Sequence, residues 1–308
     1  MTDSSSYPTG VQHELAYGDQ TAVVTEVGAT LRSYDVRGRP VVDGFAADEM
    51  VHGCRGQVLA PWPNRVRDGA WRWEGEKLQL ALTEPARHNA IHGLVRWQAW
   101  VLAQRRDDWV SLTTTVWPQD GYPFLLGLRA TYRLGDDGLA VALSVRNIGE
   151  RPAPYGAGFH GYVAALTDRV DDTVLTLPAR TRITTDDRLN PIGTEPVAGS
   201  AYDFTTPRAV GDLVLDDAFA DLLPDVHGRV TVSMTDPTGR AGTSLWGGPA
   251  TRYLQVFSGD TLADPHRRRR SLAVEPMTCP ADAFVSGESL LVLAPGEEHE
   301  LSWGIHSW

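Results

Sequence analysis

Lysine is nearly missing from this chain. Lys77 is the only one, and the other basic side chains are all arginine. Cysteine is almost as scarce: Cys54 and Cys279 stand alone and far apart. Two distant cysteines make no disulfide framework, offer no metal-ligand spacing and suit a reduced compartment. No apolar run is long enough to cross a bilayer. The opening MTDSSSYPTG lacks the basic and then apolar regions of a signal peptide. Positive charge is in deficit, with a formal net charge of -11, which makes nucleic acid and anionic membranes poor partners. No GxSxG elbow and no GxxxxGK[ST] loop is present, so serine hydrolase and P-loop nucleotide chemistry lack their usual signatures. A cytoplasmic protein is expected, with no nucleic-acid or membrane partner and with residues 1–10 flexible.

Short β-rich segments punctuated by turns dominate what remains. The 308 residues include 30 glycines and 20 prolines, and 42% hydrophobic content suffices for a core. TAVVTEVGATLRSYDV reads as a strand pair interrupted at Gly28. GAWRWEGEKLQLAL turns at Glu74-Gly75, and WVLAQRRDDWVSLTTTVW turns at Arg106 to Asp108. The GDDG of LRATYRLGDDGLAVALSVRN and the DPTG of RVTVSMTDPTGRAGTSLW are hairpin cues. LLVLAPGEEHELSWGI closes the chain with a turn at PGE. Helical periodicity is confined to a turn or two in DDAFADLL. Residues 168–209 read as a less regular excursion. The pattern predicts one all-β domain over residues 1–308, an antiparallel sandwich or barrel.

Polar clusters interrupt these strands. LAPWPNRV carries Asn64 and Arg65; HNAIHGLVRWQAW carries His88, His92, Arg96, Trp97 and Trp100; YGAGFHGYV carries His160. SLAVEPMTCP ends an apolar strand with Glu275, on the face it shares with Ser271 and Ala273. Each has an ordinary alternative as a solvated charge, a turn residue or a core histidine, and a glutamate is mostly exposed. His88 and His92 would form a zinc pair only on a helix, and Asn89 stands where HExxH requires glutamate. No metal and no cofactor are therefore expected. RRRR at Arg267–Arg270 reads as a solvated loop. Arg, His, Asp and Glu with aromatic surfaces suit a sugar, whose hydroxyls need planar hydrogen-bonding groups and whose apolar face stacks on rings.

In order, PWPNRV, IHG, FHGY, LDDAF, LQVFSGD and AVEPMTCPADAF resemble the aldose 1-epimerase (galactose mutarotase) family, from about residue 10 to the end. The resemblance implies a large antiparallel β-sandwich with an open concave sugar-binding face, and a monomer or homodimer acting on a small-molecule sugar. It implies Glu275 as general base and His160 as general acid, with Arg65, His92, Asp216 and Asn64 holding the sugar. The family pattern often has an Asn before the acid histidine and an aromatic-Asn pair after it; here Phe159 precedes it and Gly161-Tyr162 follow. The HGxxRxxxW spacing from His92 to Trp100 looks like relatives acting on anionic sugars, the sulfoquinovose-associated branch included, and adds Arg96 as a binding candidate.

These residue types suit exchange of α and β anomers by ring opening and closure. A carboxylate takes the proton of the anomeric hydroxyl while an imidazolium protonates the ring oxygen, from opposite sides of the C1–O5 bond. Histidine is apt because it titrates near neutrality. Two other classes stay open: a sugar-binding module without turnover, and a lyase or hydrolase on a similar sandwich.

Overall fold

Strict alternation in the longest hairpin shows how the core is built. In the computed structural model, which describes residues 7–308, Leu126–Gly135 and Gly138–Asn147 pair through the predicted turn at Asp136-Asp137. Leu126, Leu128, Ala130, Tyr132 and Leu134 are buried, while Arg129 and Arg133 are exposed, the period-two signature of a sheet with one wet face. This hairpin lies within a nine-stranded antiparallel sheet. Its order is Val101–Arg105, Trp109–Val116, Leu126–Gly135, Gly138–Asn147, Glu298–Ser307, Gly242–Gly247, Val230–Thr235, Val174–Thr176 and Arg208–Ala209.

A second sheet has eight strands. Pro191–Pro196, Ala179–Thr185, Asp216–Leu222, Tyr253–Phe257 and Ser271–Met277 run side by side, and Gly158–Phe159 and Val58–Leu59 follow. Gly161–Ala164 also pairs with Ser271–Met277. Leu254, Val256, Leu272 and Val274 alternate into the core shared with the nine-stranded sheet. Phe159 stacks on Trp303 of that sheet at 4.8 Å, both fully buried. The opposite face of the same strands is left for Gln255, Phe257, Ala273 and Glu275.

The structure revises several expectations. DDAFADLL forms the strand Asp216–Leu222, because Phe219 and Ala218 pack into the sheet and tertiary pairing overrides a weak local helical pattern. Among the described residues the only α-helix is Ala283–Ser286. The segment 168–209 is a crossing between layers: it gives two strands to each sheet. Leu291–Leu293 pairs with Ala153–Tyr155, so the terminal turn joins strands of different sheets. Of the start expected to be flexible, residues 1–6 lie outside the described residues, and Thr9 is buried and accepts a hydrogen bond from Val27 N–H at 3.0 Å. No helix among the described residues is long and apolar enough to cross a membrane.

Phe159→Ala should destabilise the fold by about 3–5 kcal/mol, because it opens a cavity where the sheets meet. Val226→Ala, at a side chain 94% exposed, should change stability by less than about 0.5 kcal/mol. Urea unfolding measures both, and equal effects would contradict the described packing.

Candidate active site

Strand register assembles the centre of the site. Gly158 pairs with Met277 and Gly161 with Val274, which sets His160 beside Glu275. On the other side Gln255 pairs directly with Glu275, and Ala218 with Gln255. His160, Glu275 and Gln255 thus form a row across neighbouring strands, with Asp216 one period-two step beyond Ala218. Phe159 and Gly161 face the core instead. A side chain on Gly161 would meet the Phe159 ring at 2.7 Å, so that position must stay bare. Pro276, which supplies no N–H, falls where the neighbouring ladder is interrupted.

A cavity of about 700 Å³ opens over this row. Glu275 is 2% exposed, and His160 Nε2 lies 3.3 Å from its Oε1. Burial raises the Glu275 carboxyl well above its ordinary range, with help from the Asp216 charge and against the pull of Arg65. Burial, with the charges of Arg96 and Arg55, lowers His160 to about 3. Burial thus disfavours the charged form of each group, the carboxylate and the imidazolium alike. Both groups also stand side by side rather than across the site from each other.

Two chain crossings supply the next residues. Arg65 pairs with Ile91, Asn64 accepts from His92 N–H at 2.8 Å, and Ala60 accepts from Leu94 N–H at 2.7 Å. Asn64 and His92 both adopt positive φ, 52° and 61°, conformations that cost energy and are held by these crossings. Gly93 follows at φ 70°, and a Cβ there would stand 2.0 Å from Ala60 O, so only glycine fits. Asn64 N–H donates to His92 Nδ1 at 3.1 Å. The proton of the neutral ring then sits on Nε2, leaving His92 a donor toward the cavity. Burial, the neighbouring His160 and the arginines keep His92 well below its usual titration range.

Arg65 is clamped by Glu84 through two bonds, Nε to Oε2 at 2.8 Å and Nη2 to Oε1 at 3.0 Å. Burial alone would raise Glu84, but the bonds and charge of Arg65 outweigh it and the carboxyl sits below its ordinary range. Asn64 Nδ2 donates to Gln255 Oε1 at 3.2 Å, and Gln255 Nε2 donates to Asp216 Oδ1 at 2.9 Å. Burial raises Asp216. Arg96 donates to Cys54 Sγ and to Ile91 O, each at 3.2 Å. Its Nε is buried without a partner, and it forms no ion pair among the described residues.

All seven candidates, Asn64, Arg65, His92, Arg96, His160, Asp216 and Glu275, line this one cavity. His88 does not; it is exposed and meets Asp68 at 2.9 Å. Trp62 and Trp100 are core residues, Trp97 is 53% exposed, and no tryptophan lines the cavity. Phe45, Tyr162 and Phe257 supply its aromatic rings. The RRRR run is not uniformly solvated. Arg269 is buried between Asp171 and Asp260, and Arg267 lines the cavity while pairing with Asp43 at 3.0 Å. Cys279 is a buried thiol, but Cys54 faces the cavity. Sequence reasoning missed Glu84, Gln255, Arg55 and Tyr162. Period two from Glu275 and His160 could have found Tyr162; LQVFSGD contained Gln255, and nothing local marked Glu84 or Arg55.

Cys54, His92 and His160 offer three donor atoms within 4.8 Å of one another, a cluster that linear spacing did not reveal. Its chemistry does not suit a divalent cation. His92 uses its free lone pair on Asn64 N–H, burial raises the Cys54 thiol, and Arg96 already lies on the sulfur.

Comparison with known proteins identifies the family and the fold. The profile of the family described as Aldose 1-epimerase matches residues 12–306. The chain is 33% identical to the uncharacterized protein YihR of Escherichia coli K12, across 99% of this chain and 96% of that protein. It is 26% identical to a maltose epimerase of Levilactobacillus brevis, over 93% and 91% of the two. Among solved structures, a putative aldose 1-epimerase from Escherichia coli K12 superimposes with a TM-score of 0.83 at 20% identity, covering 97% of this chain and 99% of that one. A galactose 1-epimerase from Lactobacillus acidophilus gives 0.79 at 20% identity, covering 96% and 94%. This chain belongs to the aldose 1-epimerase family, and its fold is that of the galactose mutarotases.

The raised Glu275 carboxyl has a signed consequence for stability. The folded protein keeps this proton above pH 4.5 while the unfolded chain releases it, so stability falls as pH rises toward the folded-state pKa. The slope is at most about 1.4 kcal/mol per pH unit. The depressed histidines act oppositely, losing stability as pH falls below 6.5, in native and variant alike. Glu275→Gln should therefore gain stability relative to the native protein between pH 5 and pH 8 in urea unfolding. A difference independent of pH would contradict a buried neutral acid.

Proposed function

We propose that this isomerase interconverts the α and β anomers of a hexose without a cofactor, with Glu275 as base and His160 as acid. The observation that carries the reading is the 3.3 Å contact of these two groups on the cavity floor. O1 and O5 of a hexose share one carbon, so adjacent acid and base can face both. Ring opening moves the O1 proton to Glu275 and the His160 proton to O5. The C1–O5 bond breaks as C1=O1 forms, rotation about C1–C2 exposes the other face, and closure reverses each transfer.

The charged pair that begins ring opening and the neutral pair that follows it hold the same number of protons, one on Glu275 and His160 together before the sugar contributes its own. A neutral pair reaches the charged form by moving one proton across the 3.3 Å contact, which sugar hydroxyls entering the cavity favour by solvating the charges. Arg65, Asn64 and His92 Nε2–H donate to the sugar, and Asp216 accepts. Their mutual bonds hold them for a paired transfer that tolerates little misplacement. The reading takes the whole chain as one domain, because Arg65, His160 and Glu275 come from distant segments.

The maltose epimerase relative supports a sugar substrate, and Arg96 narrows the class. A buried guanidinium without an anionic partner is costly. An anionic substituent, as in sulfoquinovose or a hexose 6-phosphate, would supply that partner.

By NMR magnetisation transfer, the native protein should speed anomer exchange of at least one of glucose, galactose, glucose 6-phosphate and sulfoquinovose. Glu275→Gln should lower kcat about 10²–10⁴-fold with the fold intact. Full activity in that variant would sink the mechanism, and tight binding with no exchange by the native protein would favour a binding module. Arg96→Ala should weaken binding of an anionic sugar about 10- to 150-fold, the loss of a charge-assisted contact, and spare neutral sugars. Equal losses for both would remove the anionic assignment.

A further inference from the structure

No hydrogen bond holds the edge of the His160 ring that faces away from Glu275. Nε2 meets Glu275, but Nδ1 is buried with no partner. A ring whose Nδ1 has no partner can swing about its Cβ–Cγ bond, whose torsional preference is broad. Its plane is set by other rings. Tyr162 lies parallel to it, with centroids 5.1 Å apart and planes 9° from one another. His92 meets it edge-on at 5.2 Å and 76°.

The strand places Tyr162 for this contact. It stands two residues after His160, on the same face, and pairs with Ala273, whose small side chain leaves room for a ring. The Arg55 guanidinium carbon lies 4.5 Å over the centroid of Tyr162. Arg55 is buried and anchored in turn, by Asp43 at 3.2 Å and by His52 O at 2.9 Å. Asp43 also takes Arg267 and Ser271, the latter on the strand of Glu275. A connected chain of Asp43, Arg55, Tyr162 and His160 therefore runs from the cavity wall to the acid.

We infer that Tyr162, backed by Arg55, is a positioning residue that sets the plane of the His160 imidazole by stacking, where a hydrogen bond at Nδ1 would otherwise do so. The inference rests on the proposed acid role of His160. The electron-rich face of the tyrosine attracts the guanidinium and fixes the ring between rigid neighbours. The tyrosine π-system favours an imidazolium when one forms, while burial and the Arg96 and Arg55 charges oppose it. The structure thereby accounts for the departure at this motif, where Gly161-Tyr162 follow the histidine.

Three variants test it, Tyr162→Phe, Tyr162→Leu and Tyr162→Met, with two readouts. The first is kcat and KM for anomer exchange; the second is the His160 Hε1 resonance, which the stacked ring shifts whether or not the protein turns over sugar. Phe should keep the resonance and a kcat within about 3-fold of native, since the stacking face survives. Leu should move the resonance and lower kcat roughly 30- to 100-fold with KM little changed, as for a catalytic group displaced by about 1 Å. Met fills the space without a flat face and should behave like Leu, which keeps the test open if Leu does not fold. A moved resonance with native kcat in Leu or Met would overturn the positioning role while leaving the acid–base reading intact. A native protein that accelerates no sugar would overturn both, and that result is seen before any variant is made.

Discussion

A carboxyl group and an imidazole buried in contact at the centre of a sheet face are the constraint around which this molecule is arranged. Neither carries a charge cheaply so deep in the protein: burial raises the Glu275 carboxyl and lowers the His160 imidazole. That contact requires His160, Glu275 and Gln255 to keep one register across their strands. Register in turn depends on the opposite face, where Leu254, Val256, Leu272 and Val274 must point into the core. A slip of one residue would exchange the two faces and bury neither set correctly. The apolar packing and the chemistry are thus two sides of the same strands.

Around the pair, charge is distributed with unequal compensation. The chain is acidic overall, yet Arg55, Arg65, Arg96 and Arg267 line the cavity. Arg65 is matched by Glu84, and Arg55 and Arg267 share Asp43. Arg96 instead contacts a thiol and a carbonyl. The matched arginines use the planar fork that lysine lacks: two parallel bonds to Glu84, or a flat face over Tyr162. Arg87 also lines the cavity and shares Glu84 with Arg65, so among these arginines Arg96 alone has no carboxylate partner.

Much of the fold was legible because hairpins are local. Turns at Glu74-Gly75, Arg106 to Asp108, Asp136-Asp137 and DPTG join strands next to one another in sequence, and each pairs as read. DDAFADLL was misread because its partners, Ala179–Thr185 and Tyr253–Phe257, lie outside any local window. The candidate residues were found through clusters and a family likeness, whereas the residues that hold them were not. Glu84 lies 19 positions from Arg65, Gln255 lies 191 from Asn64, and Arg55 lies over Tyr162, which in turn stacks on His160.

By itself the sequence determined an all-β chain with its reversals and core faces, since alternation and turn chemistry act over a few residues. It also displayed Glu275 and His160 as polar groups within apolar strands. Only the tertiary structure decided that they touch, that burial works against the charge on each, and that Nδ1 of His160 faces no partner. It also decided that Arg269 is structural while Arg267 reaches the cavity, although both belong to one run of four. Burial and charge coupling depend on which strands become neighbours, and no short stretch of sequence contains that information.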